Sequence, residues 1–205
     1  MDAVGFLMTG GFFVSFMSGN STRLAVGLAD RAPYAFFALG LIVAFVVGVS
    51  LGALIGRKAG ARRAPAVLAF VALCLAAAAA LASTGALPFA ILALAFAMGA
   101  ENTVFAQDGE VRIGLTYMTG ALVKLGKGIT AALLGEDRFA WAPHLLLWLG
   151  LVLGAAVGAL AYRHLGAHAL WAAAALMALL AAAAVKLRSA AQASAPAAPI
   201  EGRGS

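Results

Sequence analysis

The sequence predicts an all-α fold, a polytopic bundle of transmembrane helices built from two internal repeats with broken or re-entrant motif segments. Three observations carry this. Hydrophobic residues make up 64% of the 205 and charged residues only 11%, with a mean hydropathy of +1.00; an ordinary soluble domain is about a quarter charged. Several apolar stretches are long enough to cross roughly 30 Å of hydrocarbon as helices of about 20 residues. One polar motif is also written twice, 101 residues apart, inside this apolar background.

The clearest spans, in chain order, are Tyr34–Gly56, Ala66–Ser83, Leu87–Val104, His144–Tyr162 and Ala169–Val185. None alternates with period two, so each must satisfy its own backbone as a helix rather than join a β-barrel. The net charge of +6 would suggest nucleic acid in a soluble chain. Here the cations sit in short loops, where topology places them, so the expected partner is the lipid bilayer and not nucleic acid. Arg57, Lys58, Arg62 and Arg63 form the densest cluster, which puts that loop on the cytoplasmic side of a multi-pass protein. Cys74 is the single cysteine and lies in an apolar run, which excludes an intramolecular disulfide. Met1-Asp2 opens on an acid, unlike the basic start of a cleavable signal.

The motif runs from Phe16 to Leu28 and again from Tyr117 to Ile129. Met17/Met118, Gly19/Gly120, Leu24/Leu125 and Gly27/Gly128 are identical pairs; Ser18/Thr119 keeps a hydroxyl and Arg23/Lys124 a cation. Apolar filler alone would not keep polar residues in register. The match continues beyond the motif. Ala32-Pro33 and Ala142-Pro143 each open the next helix, where proline suits the first turn. Gly48, Gly52 and Gly56 then form a stripe at every fourth position, as do Gly150, Gly154 and Gly158. Such stripes let two backbones approach closely in lipid, so these two helices are expected to pack tightly, against each other or across a homodimer interface. The resulting organisation is a first repeat at 1–85, a second at 86–188 and a solvated tail at 189–205. The tail ends in Ile200-Glu201-Gly202-Arg203-Gly204-Ser205, which reads as a protease-site remnant. The second repeat has a helix before its motif, Leu87–Val104, whereas the first begins at Met1; symmetry implies a leading helix missing from the first.

Asp2-Ala3-Val4-Gly5-Phe6-Leu7, the run Gly10–Thr22 and Thr116-Tyr117-Met118-Thr119-Gly120 resemble the YoaK-like family of bacterial inner-membrane proteins, a domain of unknown function. The resemblance covers the chain to about Arg188. It implies a six-helix-type membrane protein and, since members carry an apolar helix before the stretch matching Asp2, a shortened N-terminus. It implies no established substrate.

Ser18-Gly19-Asn20-Ser21-Thr22 is a run of poor helix formers in an apolar segment. The motif is therefore read as a short segment, Phe12–Ser18, a break, and a half-helix from Ser21 to Ala29. Thr119-Gly120 marks the matching break, with Ala121–Leu134 following. Half-helix N-termini at corresponding places in two repeats point to a transporter binding site, and Arg23 and Lys124 add cations that favour an anionic or carboxylate-bearing solute. The competing reading has these cations snorkelling to headgroups. The candidate substrate-binding residues are Ser18, Gly19, Asn20, Thr22, Arg23, Thr119, Gly120 and Lys124. Glu101, beside Asn102 after a long apolar run, is the candidate proton-coupling acid; an interfacial position, given Gln107, Asp108, Glu110 and Arg112 downstream, is the alternative. His164 and His168 have i, i+4 spacing without a nearby acidic or cysteine ligand, so no metal is expected. No cofactor motif is present, and an intramembrane enzyme would have only Ser18 or Thr119 with Glu101 as nucleophile and base. The expected function is a small-solute membrane transporter, not an enzyme; the alternative is a passive channel or an interaction protein that dimerises through the glycine stripes. If each motif crosses fully the repeats are parallel, and if re-entrant they are inverted; broken polar segments favour inversion.

Overall fold

The computed structural model describes residues 1–104, 106–107, 110–111 and 118–193. Its elements are α1 (Asp2–Thr9), α2 (Met17–Ala29), α3 (Tyr34–Ala59), α4 (Arg63–Ser83), α5 (Leu87–Glu101), the two-residue strands β1 (Ala106–Gln107) and β2 (Glu110–Val111), α6 (Met118–Leu133), α7 (Ala142–Leu165) and α8 (Ala169–Ala193). The fold is all-α, and the antiparallel β1–β2 pair is a minor ornament.

Two apolar stretches, Tyr34–Ser83 and Ala142–Ser189, are long and apolar enough to cross a membrane. Each is a pair of helices joined by a three-residue 3-10 turn, Gly60–Arg62 or Gly166–His168. The 26 residues of α3 and 24 of α7 rise about 39 and 36 Å at 1.5 Å per residue. The two turns are built in the same way: Gly60 (φ 52°) and Gly166 (φ 57°) end the long helices behind basic last turns, Arg57-Lys58 and Arg163-His164. Positive φ suits glycine, and cations suit a helix C-terminus. The order short helix, long helix, 3-10 turn, helix thus occurs twice, as α2–α3–α4 and α6–α7–α8.

The core lies between α3, α4, α5 and α8, where Leu41, Val67, Val71, Leu75, Leu94 and Leu170 are fully buried. The glycine stripe of α3 packs on α5, not on α7. A side chain at Gly48 would overlap the Phe96 carbonyl, and one at Gly99 would overlap the Phe45 carbonyl. The two backbones therefore interlock reciprocally. A Cβ at Gly52 would lie 2.9 Å from the Ala100 Cα, and one at Gly56 would meet the Arg63 side chain. This corrects the expectation that the two striped helices pack against each other. On α7, added Cβ atoms at Gly150 and Gly154 would meet nothing within 4 Å, and one at Gly158 would touch only Val4, at 3.6 Å. The stripe spacing is the same, but the chain supplies α5 to one stripe and only α1 to the other.

Arg63, at the start of α4, reaches across the room left by Gly56 and donates its Nε–H to the Thr103 carbonyl at 3.2 Å. This ties the end of α5 to the α3–α4 turn. Arg63→Met keeps most of the stem but removes a charged donor. Such bonds are worth about 1.5–3 kcal/mol, so thermal unfolding in detergent should show a loss of that order; an unchanged Tm would remove the tie from the fold's energetics.

α8 continues to Ala193, five residues past the boundary expected after Arg188. Ser189-Ala190-Ala191-Gln192-Ala193 is alanine-rich, and alanine is the best helix former.

Candidate functional site

α2 is a half-length helix of 13 residues that folds back along α3. A Cβ at Gly27, near its C-terminal end, would lie 2.7 Å from the Tyr34 ring at the start of α3, while its N-terminal end lies beside Phe45 and Val49, at mid-length of α3. Gly128, the motif partner of Gly27, does the same for α6, leaving room for the backbone of Trp141 just before α7. The identical glycines of the motif thus fold each short helix onto the long one that follows.

The break in the first copy is not where the polar run suggests. α2 begins at Met17, so Ser18–Thr22 form its opening turns, and the irregular stretch is Gly10–Phe16. Gly10 (φ 67°) and Gly11 (φ 132°) turn the chain with backbone angles that side chains disfavour. The hydroxyls stay local: Ser21 Oγ donates to the Met17 carbonyl at 2.8 Å and Thr22 Oγ1 to the Ser18 carbonyl at 3.2 Å. Thr119 and Gly120 likewise fall in the first turn of α6, which starts at Met118. Tyr117 and Thr116 lie outside the described residues.

Two side chains hold the irregular stretch. Asn20 is 0% exposed; its Oδ1 accepts from the Phe13 N–H at 3.1 Å, and its Nδ2 donates to the Phe13 carbonyl at 2.6 Å. Asp2 accepts from the N–H groups of Val14 and Ser15, both at 2.8 Å. Nonhelical backbone inside a membrane has to find partners in the protein, and these two residues supply four bonds. Arg23 lies against the same stretch, with its guanidinium carbon 4.7 Å from the Phe12 ring centroid and close to Gly11.

Two cavities meet at this point. The first, of about 400 Å³, is lined by Ser15, Phe16, Met17 and Ser18, by Phe45 and Val49 of α3, by Asn102 and Thr103, and by Thr119 and Gly120. The two motif copies therefore face one space. The second, of about 540 Å³, is lined by Met1, Asp2, Ser15, Phe16, Met98, Glu101, Met118 and the α7 residues Leu146, Leu147, Gly150 and Leu151. Glu101, the last residue of α5, lies about level with Gly52, which packs on its neighbour Ala100. That is seven residues before the end of α3, about 10 Å along the helix axis, so the carboxyl stands within the depth of the long helices.

Of the expected binding residues, Ser18, Thr119 and Gly120 line the first cavity, Asn102 joins them, and Glu101 lines the second. Gly19 lies under the Phe13 and Phe16 rings, and Asn20 is turned to Phe13. Thr22 is exposed and bonded back to its own helix, and Lys124 is exposed on α6. Neither Arg23 nor Lys124 lines either cavity. The anionic-solute expectation rested on those two cations: Arg23 is stacked on Phe12, Lys124 is exposed on α6, and the second cavity is lined by Asp2 and Glu101. Ser18 and Thr119 line the first cavity and Glu101 the second. Among the described residues, no three His, Cys, Asp or Glu side chains form a metal-holding group.

The family model for a protein of unknown function, DUF1275, matches residues 1–183. The chain belongs to that family. It is 40% identical over 171 residues, 83% of this chain and 73% of the relative, to the UPF0700 transmembrane protein RA0705 of Rhizobium meliloti (strain 1021). No solved structure matches. DUF1275 membership agrees with the YoaK-like resemblance of the motif residues and with a membrane protein, and it names no substrate.

Sequence reasoning passed over Ser15, Phe16 and Thr103 as lining residues of these cavities. Asp2 had a signal, an acid at the edge of an apolar segment. Phe16 had none, because one aromatic among many apolar residues carries no mark of its position.

Proposed function

We propose that this protein is a multi-pass transporter of the bacterial inner membrane, not an enzyme, moving a small polar solute through the cavity where its two duplicated motifs meet. The observation that carries the reading is that cavity's placement. Ser18 from one copy and Thr119-Gly120 from the other line a single space at mid-length of α3. Transporters built from repeats hold their substrates there, between discontinuous helices near the bilayer midplane. The volume of about 400 Å³ falls within the roughly 300–1,000 Å³ of small-molecule sites. The lining combines hydroxyls (Ser15, Ser18, Thr103, Thr119), an amide (Asn102) and two aromatic rings (Phe16, Phe45). That chemistry suits a neutral or zwitterionic solute. Glu101 in the adjoining cavity is the proton-coupling acid of this reading, because intramembrane carboxyls are costly and mark ion or proton pathways.

Purified protein in proteoliposomes should show saturable, gradient-driven uptake of at least one member of a panel of neutral and zwitterionic small solutes. Ser18→Leu and Thr119→Leu place apolar bulk in the cavity from exposed positions. Each should lower uptake at least tenfold while shifting unfolding by no more than about 0.5 kcal/mol. Full uptake by both variants would remove the motif cavity from the mechanism.

One observation favours a second reading, a membrane interaction protein. The Gly150 and Gly154 face of α7 is uncovered in the single chain, and small-residue faces in lipid serve helix association. A detergent-solubilised homodimer whose formation is lost in Gly150→Leu, combined with no uptake of any solute, would favour it over transport.

A further inference from the structure

The two cavities are separated by very little. Ser15 and Phe16 line both, Glu101 lines one while its chain neighbour Asn102 lines the other, and Met118 and Thr119 divide in the same way. The wall therefore passes through three places: the stretch before α2, the C-terminal end of α5 and the N-terminal end of α6. Phe16 is the largest side chain shared by the two spaces. It is 40% exposed, so its ring stands free of the core. One edge rests on Phe13, with ring centroids 5.4 Å apart at 81°, and Phe13 rests in turn on Phe6 of α1, at 5.1 Å. A Cβ at Gly19 would lie 2.8 Å from Phe16 Cδ1, so the absence of that atom gives the ring its seat on α2.

We propose that Phe16 is the gate between a solute compartment, walled by Ser18, Asn102 and Thr119, and a carboxyl compartment, walled by Asp2 and Glu101. The proposal rests on the transport reading above for the compartments' roles. Phe16 sits at the junction of the irregular stretch and α2, and the stretch is held at Phe13, Val14 and Ser15 by Asn20 and Asp2. A change in either bond set moves the backbone that carries the ring. With the ring in place, solute and the Glu101 carboxyl occupy separate spaces; with it withdrawn, water and protons have one continuous space. Asp2 and Glu101 line the same cavity, and Phe16 keeps that pair apart from the hydroxyl-lined side. Gly19 is a positioning residue for the gate.

The test measures proton entry into proteoliposomes holding a pH-sensitive dye, driven by a potassium diffusion potential, with no solute added. The unaltered protein should be tight. Phe16→Ala should leak protons at least tenfold faster, Phe16→Val should leak to an intermediate extent, and Phe16→Trp should stay tight. The leak of Phe16→Ala should fall at least fivefold in the Phe16→Ala/Glu101→Gln double variant. A folded Phe16→Ala or Phe16→Val protein as tight as the parent would overturn the gate, and so would a leak indifferent to Glu101. The failure of the transport reading looks different: a Glu101-dependent leak through Phe16→Ala with no uptake of any solute would keep the gate and discard the transporter. Gly19→Ala, which displaces the ring without removing it, should leak measurably; tightness there with Phe16→Ala leaking would overturn the seat assigned to Gly19.

Discussion

Gly48→Val should abolish recovery of folded protein, whereas Gly154→Val should be tolerated in the monomer. The two glycines occupy matching glycine stripes, but the Gly48 Cβ would coincide with the Phe96 carbonyl while the Gly154 Cβ would meet no atom within 4 Å. Relief at Gly48 requires α3 and α5 to part along their interlocked faces, because Gly99 is locked in turn against the Phe45 carbonyl. Helix association in lipid depends on van der Waals contact rather than hydrophobic transfer, so a separation of even 1 Å forfeits much of the attraction along the face. Overpacking in a tight core commonly costs 1–3 kcal/mol even where side chains can adjust; here the obstacle is backbone, and the cost should exceed that range. Size-exclusion profiles and thermal unfolding in detergent check both variants. A monodisperse Gly48→Val protein of unaltered Tm would show that the α3–α5 contact does not hold the fold. A Gly154→Val protein that loses a dimer while keeping its Tm would move the α7 stripe into an interface between copies.

Asn20→Ala should be the most damaging polar substitution. It strips the Phe13 N–H and carbonyl of their partners at a fully buried position. Each buried group left unpaired costs about 1–3 kcal/mol, so the variant should lose about 2–6 kcal/mol in thermal unfolding, and any uptake with it. Asp2→Ala releases Val14 and Ser15 in the same way. Since both residues hold adjacent parts of one stretch, the double variant should lose less than the sum of the two single losses. Strict additivity would mean that the two side chains hold independent pieces of backbone. An Asn20→Ala protein of unchanged stability would mean that the Phe13 groups have found other partners.

The contrast between Gly48 and Gly154 also shows where sequence reading stops. The stripe pattern is local and readable, and it says that a helix face can accept a close neighbour. It does not say which neighbour, because α5 reaches α3 only after the chain has passed through all of α4. Ser18–Thr22 shows the same limit at the motif. Its residue types signal a departure from regular apolar helix, but they serve equally well in a helix's first turns, and two positive-φ glycines upstream take the irregular backbone instead. Arg23 was legible as an intramembrane cation, while its resting place over Phe12 was not.

Composition and span length alone determined that this chain is an all-α membrane protein, because hydrocarbon accepts so few backbone solutions. Periodic glycines, Ala-Pro helix starts and a twice-written motif likewise marked the two matching sets of elements, since helix starts and small-residue faces are chosen by local chemistry. Only the tertiary structure decided what the polar residues do. In lipid a buried amide or carboxylate must have a partner, and that partner is equally a ligand or the protein's own backbone. Asn20 and Asp2 spend their bonds on Phe13, Val14 and Ser15. Ser18 and Thr119 line one cavity, Glu101 lines the other, and Phe16 lines both. Such assignments depend on where residues far apart in the chain come to rest, and no periodicity or propensity encodes that placement.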